Sequence, residues 1–224
     1  GEKASPRQLR VCMAMASHTG KIRLLIVDDH PMLRAGVAAV ISVQPDMQLV
    51  GEVSTAEEGV ACFRSLRPDV TLMDIQMPGM GGVEAIGQIR AHSPDARILV
   101  LTTYAGDAQA LRALRAGAAG YLLKSSLRRE LVDAIRAVAE GRRALAPAVA
   151  QEIALHAGAE ALSDREVGIL QQVAGGKANK DIARARAISE DTVKSHLKNI
   201  YGKLGVDDRA HAVAMAIKRG IIFV

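Results

Sequence analysis

The sequence predicts a two-part chain: an α/β domain on a five-stranded, parallel, doubly wound sheet, followed by an all-α domain of four helices. Three observations carry that expectation. Short apolar, partly β-branched runs alternate with amphipathic segments from Arg23 to Glu140, the pattern of successive βαβ units. One of those runs, Val70-Thr71-Leu72-Met73, ends in the carboxylate Asp74 and soon reaches the turn formers Pro78-Gly79-Met80-Gly81-Gly82. After Leu162 the strand signal stops and only helical periodicity continues.

Taken in order, the first strand is Leu24-Leu25-Ile26-Val27, followed by a helix over Pro31 to Ser42 that opens with a proline suited to a first helical position. Strands over Met47 to Val53, Val70 to Met73, Ile98 to Leu101 and Gly120 to Leu123 alternate with helices over Ala56 to Ser65, Val83 to Ala91, Ala108 to Ala116 and Leu127 to Glu140. Right-handed crossovers between such strands give a parallel sheet covered on both faces. The expected organisation is a flexible N-terminal tail over 1–20, the α/β domain over 21–141, a partly helical linker over 142–161 and the helical domain over 162–224.

Composition narrows the classes. The chain has 224 residues, 49 % of them hydrophobic but only 2 % aromatic, so its core must rest on Ala, Val, Leu and Ile. No apolar segment approaches the roughly 20 residues needed to span a bilayer, and Val11 to Ala16 is too short for a secretory leader. Cys12 and Cys62 lie far apart in unlike contexts, which argues against a disulfide or metal role and fits a reducing cytoplasm. Of the net charge of +5, residues 162–224 contribute +4, from eleven basic and seven acidic side chains, so a polyanion is the expected partner of the C-terminal end.

The strand ends carry the chemistry. The first strand runs into Asp28-Asp29, the third into Asp74 and the fourth into Thr102, while the fifth runs Tyr121-Leu122-Leu123-Lys124. In a parallel sheet these C-terminal ends share one edge, where ligands bind. Three converging carboxylates repel one another unless a cation sits between them, and an all-oxygen donor set suits Mg2+ rather than zinc. Asp29, Asp74 and the backbone carbonyl of Gln76 are the expected ligands, with Asp28 acting through water. This set suits phosphoryl transfer, with Asp74 as the nucleophile and Lys124 and Thr102 on the phosphoryl oxygens.

Residues 22–140 resemble the receiver domain of two-component response regulators, a flavodoxin-like fold, through Leu25-Ile26-Val27-Asp28-Asp29-His30, Met73-Asp74-Ile75-Gln76-Met77-Pro78, Leu101-Thr102-Thr103 and Gly120-Tyr121-Leu122-Leu123-Lys124. The resemblance implies that a histidine kinase donates the phosphoryl group to Asp74, that Thr102 and Tyr121 form a switch pair, and that phosphorylation draws Thr102 inward and admits the Tyr121 ring, reshaping residues 104–123. It also implies a bacterial, cytoplasmic protein whose only catalysis is Mg2+-dependent self-phosphorylation and autodephosphorylation.

In the helical end, Ser163 and Glu166 stand at capping-box spacing, Gly175-Gly176 stops the first helix, and Ser189 caps the third. Helix, short helix, turn and helix is helix-turn-helix order. In the third helix Val193, Leu197, Ile200 and Leu204 form one apolar stripe; Lys194, Ser195, Lys198 and Asn199 lie opposite, with His196 on the flank. Lysine suits phosphates or guanine edges, and asparagine can read adenine. Residues 162–222 resemble the LuxR-type helix-turn-helix of the NarL/FixJ subfamily, through Leu162-Ser163-Asp164-Arg165-Glu166, Asn179-Lys180-Asp181-Ile182-Ala183 and Ser189 to Ile200. By that resemblance Lys194, Ser195 and Lys198 face the bases of double-stranded DNA, Thr192 and His196 lie nearby, and the helix over Arg209 to Lys218 pairs two such domains. The stretch Arg184-Ala185-Arg186-Ala187-Ile188 departs from the family's usual Leu-Gly turn, and its extra arginine is expected to alter phosphate contacts.

The expectation is therefore a phosphorylation-regulated transcriptional regulator that dimerises on phosphorylation or on DNA, its unphosphorylated receiver masking the recognition or pairing helix. A phosphatase passing through an aspartyl phosphate is disfavoured, because Gln76 stands where a second general acid/base would follow Asp74 and no cap domain is evident. A regulator whose helical end docks a protein is the third reading, which DNA-independent complexes would favour.

Overall fold

The computed structural model describes residues 20–103 and 105–223; the N-terminal tail and Cys12 lie outside them. The described chain divides into two compact units, residues 20–103 with 112–146, and residues 105–111 with 147–223.

The first unit carries a parallel sheet in the order β2-β1-β3-β4-β5-β6. Its strands are β1 (Ile22–Val27), β2 (Met47–Val53), β3 (Val70–Asp74), β4 (Ile98–Thr102), β5 (Gly120–Leu123) and β6 (Ala144–Leu145). Leu24, Leu25, Ile26 and Val27 of β1 and Ile98, Leu99, Val100 and Leu101 of β4 are fully buried, as strands covered on both faces require. Helices α1 (Pro31–Ser42), α2 (Ala56–Leu66), α3 (Gly82–His92) and α4 (Asp107–Ala116) connect successive strands, and α5 (Leu127–Ala139) follows a short turn over Lys124–Ser126. Thr55 caps α2 by accepting the Glu58 backbone N–H at 3.2 Å. The Arg136 guanidinium of α5 grips the Asp46 carboxylate at 2.8 and 3.1 Å.

Sequence pattern predicts five strands, and the sixth is the difference. Ala144 pairs with Gly120 and Leu145 with Tyr121, so β6 has only two residues, too few for any periodicity to announce. Residues 142–161 also hold α6 (Pro147–Leu155).

Because the chain leaves β1 for β2 on one side and then for β3 on the other, the strand order reverses between β1 and β3. Crevices at such switch points, outside the strands' C-terminal ends, are where doubly wound sheets bind ligands. Asp28 follows β1 and Asp74 ends β3, so both stand at the reversal.

The second unit is built on α7 (Asp164–Ala174), α8 (Asn179–Arg186), α9 (Glu190–Leu204) and α10 (Arg209–Lys218). Ile169, Leu170, Val173, Ile182, Val193, Leu197, Ile200, Ala212 and Ala216 form its core. The capping box closes in both directions: the Ser163 backbone N–H donates to Glu166 Oε2 at 2.8 Å, and the Glu166 N–H donates to Ser163 Oγ at 3.4 Å. Gly176, at φ +77°, ends α7 beside Gly175. Asp208 caps α10 by accepting the His211 N–H at 2.8 Å. Among the described residues no helix is long and apolar enough to cross a membrane.

The departure from the Leu-Gly turn has a structural consequence. Arg186 lies against α7, where a Cβ added to Gly168 would stand 2.2 Å from Arg186 Nη2, so this side chain covers helix rather than reaching outward. Arg184 is the exposed cation of the stretch. Ala187 holds the left-handed backbone at φ +52° that closes α8 and that glycine adopts without strain. Ala187→Gly should therefore raise the stability of the helical unit by roughly 0.5–1 kcal/mol, the relief of left-handed strain exceeding the added entropy of the unfolded chain. Denaturant melts of the two proteins measure it, and a fall in midpoint would contradict the account.

Candidate functional site

At the sheet edge the structure brings Asp28, Asp29 and Asp74 together with His30, one side-chain donor atom of each lying within 4.8 Å of the others. Asp74 is held at the buried end of β3 by the turn that follows: the Gln76 backbone N–H donates to Asp74 Oδ1 at 2.9 Å, and the Gly82 N–H donates to the Ile75 carbonyl. That closure needs glycine, since a Cβ at Gly82 would sit 2.1 Å from the Asp74 carbonyl oxygen. The side chain of Asp28 folds into its own turn, with Oδ1 accepting the His30 backbone N–H at 2.8 Å.

Lys124 supplies the cation. Its Nζ donates to Asp74 Oδ2 at 2.6 Å and stands 2.8 Å from Asp28 Oδ2, with the side chain only 10 % exposed. Burial pushes the Asp74 carboxyl above its ordinary range, against the Gln76 N–H and Lys124, which pull it down, while the Asp28 charge adds to the rise. Burial alone would lower Lys124; the Asp28 and Asp74 carboxylates outweigh it and hold the ammonium above its usual range.

One lysine does not satisfy this many oxygens. Asp28 Oδ2 and Asp29 Oδ1 are buried atoms that accept no aligned hydrogen bond, although Lys124 Nζ lies near the first and His30 Nδ1 stands 2.6 Å from the second. Under-donated carboxylate oxygens crowded at one edge are what a hard divalent cation requires, so the donor set fits a metal.

Thr102 ends β4, fully buried, in register with Leu123 of β5. Tyr121 is fully buried in β5, and its phenol is pushed far above its ordinary range, by burial first. Gln76 turns its side chain across the site mouth, where Oε1 accepts a hydrogen bond from Thr103 Oγ1 at 3.2 Å. His30, whose side chain is 64 % exposed, and Thr103 were not singled out by sequence reasoning; their adjacency to Asp29 and Thr102 was the available signal.

The second candidate surface is the outer face of α9. Val193, Leu197, Ile200 and Leu204 are buried, whereas Lys194, Ser195, Lys198 and Asn199 are exposed and Thr192 and His196 are half-buried. Ser189 fixes the start of the helix by accepting the Thr192 N–H at 3.1 Å. Lys194 Nζ lies 3.0 Å from Asp191 Oδ1, one turn back, and that contact holds the ammonium above its usual range. The face thus offers two lysines and four further hydrogen-bonding side chains, Thr192, Ser195, His196 and Asn199, on a rigid support.

The response regulator receiver domain model matches residues 24–136, and the model of bacterial regulatory proteins of the luxR family matches residues 160–216. The transcriptional regulatory protein LiaR of Bacillus subtilis is 42 % identical over 209 residues, covering 90 % of this chain and 99 % of that protein. The response regulator protein VraR of Staphylococcus aureus is 38 % identical over 206 residues, with 90 % and 99 % covered. Among solved structures, the response regulator ChrA of a heme-sensing two-component system is 40 % identical, covers 91 % of this chain and 100 % of its own, and superposes with a TM-score of 0.54. RcsB from Salmonella enterica serovar Typhimurium, bound to a promoter in the presence of the phosphomimetic BeF3-, is 26 % identical, with 87 % and 97 % covered and a TM-score of 0.69.

Proposed function

We propose, because the chain belongs to the bacterial response regulators that join a receiver domain to a LuxR-type helix-turn-helix, that it is a cytoplasmic, phosphorylation-controlled DNA-binding regulator. The observation that carries this reading is the placement of the buried Asp74 against Lys124 at the strand reversal, beside two further carboxylates.

A histidine kinase presents its phosphorylated imidazole, an oxygen of the Asp74 carboxylate bonds to phosphorus, and the phosphorus–nitrogen bond breaks with its electron pair returning to the ring. Asp28, Asp29, Asp74 and the Gln76 carbonyl would hold Mg2+, which when bound neutralises charge between the carboxylates and the phosphoryl oxygens. Lys124 transfers its ion pair from Asp74 to a phosphoryl oxygen, and the Thr102 hydroxyl donates to another. Water later attacks the phosphorus, the bond from phosphorus to the Asp74 oxygen breaks with its electron pair returning to the carboxylate, and inorganic phosphate leaves, so the chain's own catalysis ends with autodephosphorylation. No substrate is turned over.

The phosphorylated protein pairs through α10 and lays α9 in the major groove, with Lys194, Ser195 and Lys198 toward base edges and Thr192, His196 and Asn199 flanking them. Engagement requires Lys194 to leave Asp191 for DNA, an exchange between exposed partners that costs little.

Two results test the reading. Radiolabelled acetyl phosphate with Mg2+ should label the wild type and leave Asp74→Asn unlabelled; equal labelling would remove Asp74 from the role. Lys194→Ala and Lys198→Ala should each weaken binding to duplex DNA and lower the slope of log affinity against log salt by about 1. An unchanged slope would exclude this face of α9.

A further inference from the structure

The edge of the sheet opposite Asp74 gathers arginines as the Asp74 edge gathers carboxylates. Arg97 immediately precedes β4, Arg142 and Arg143 immediately precede β6, and Arg90 stands in the last turn of α3, which runs back to that edge. All four line one pocket of about 420 Å³, and Asp95 is the one carboxylate among its described lining residues. A pocket of that size suits a small ligand.

The arginines stand on fixed backbone. Arg90 lies against Gly117, whose φ of +108° favours glycine and where a Cβ would stand 2.6 Å from Arg90 Nε. Arg90 Nη1 also donates to the Ala96 carbonyl at 3.1 Å. The Arg97 carbonyl accepts the Thr71 N–H at 3.0 Å, which ties Arg97 to β3. The Arg142 N–H donates to the Ala137 carbonyl at 2.9 Å and the Ala144 N–H to the Ala119 carbonyl at 3.2 Å. The turn that carries Arg142 and Arg143 is therefore bound to α5 on one side and beside the start of β5 on the other.

Helix dipoles account for only one of these cations. An arginine in a helix's last turn answers the negative end of the dipole, as Arg90 does in α3. Arg97, Arg142 and Arg143 belong to no helix. Arg142 pairs with the exposed Glu140 at 2.6 Å, a surface contact that opens at little cost. Arg97 and Arg143 are exposed and make no ion pair among the described residues. Four cations around one pocket repel one another, and an anion between them relieves the repulsion.

We propose that this pocket binds a polyphosphate anion, a phosphoanhydride chain either free or carried by a nucleoside. All four cations are arginines, whose planar fork pairs two N–H donors with two phosphate oxygens. A single phosphate offers too few oxygens for four forks set on three separate segments, whereas a chain of two or three phosphates matches them. The proposal is independent of the reading of Asp74 as phosphoacceptor.

The test titrates the full chain with tripolyphosphate, in the absence of Mg2+, and follows backbone amide resonances. Shifts should centre on residues 95–97, 117–119 and 141–143. Arg97→Gln and Arg143→Gln, both at exposed positions, should each weaken the affinity read at these amides about tenfold, the loss of one charge-assisted contact. Thermal melts establish that the variants are folded, and tripolyphosphate should raise the wild-type melting temperature more than theirs. Wild-type affinity in both folded variants, or shifts centred on α9 instead, overturns the site. Orthophosphate at equal ionic strength should bind about tenfold more weakly than tripolyphosphate, and equal affinity overturns the polyphosphate assignment. A nucleoside triphosphate that binds more tightly than tripolyphosphate supports the site with a nucleotide as its ligand; one that binds no more tightly supports it with the bare chain.

Discussion

The structure depends on electrostatic repulsion held at close quarters. Asp28, Asp29 and Asp74 are brought to one edge by strands whose backbone pairing and apolar faces leave them no alternative, and Lys124 is the cation that makes the convergence tolerable. Burying carboxylates at the C-terminal ends of fully buried strands costs solvation, and the cost shows in the raised Asp74 carboxyl. The same crowding makes the edge receptive, since any group that brings positive charge or exchanges a carboxylate for a better-neutralised anion lowers the repulsion. The fold supplies rigidity, and the site supplies an unrelieved demand for cations.

Most of this was legible from residue order alone. Asp74 could be placed because an apolar run before it must be a strand and a Pro/Gly turn after it must end one; Asp28-Asp29 follow the first strand in the same way. The helical end was legible through its caps, since Ser163 with Glu166 and Ser189 with Thr192 make the bonds their spacing implies. What stayed hidden was short or long-range. The two-residue β6 has no period, and nothing near Asp46 in sequence points to Arg136, 90 positions away. Arg186 illustrates a third kind of gap. Its charge suggested an outward contact, but the missing side chain of Gly168 gives it a place to lie on α7.

The α9 face shows how far a local pattern can go. Burial of Val193, Leu197, Ile200 and Leu204 follows from helical period alone, and exposure of Lys194, Ser195, Lys198 and Asn199 follows from that burial. Which bases those residues prefer depends on groups the protein does not contain. The Lys194–Asp191 contact adds one specific feature, a cation held in place near an acidic neighbour and available for exchange. Such an arrangement keeps the face from presenting unopposed positive charge to every polyanion it meets.

The central claim is that occupancy of Asp74 controls assembly. Its most direct test is the light-scattering mass of the full chain, with and without beryllofluoride and Mg2+, for the wild type and Asp74→Asn. The account predicts a rise to the dimer mass in the wild type with the mimic present, and no change in Asp74→Asn. A rise of equal size in both proteins, or in neither, would contradict it.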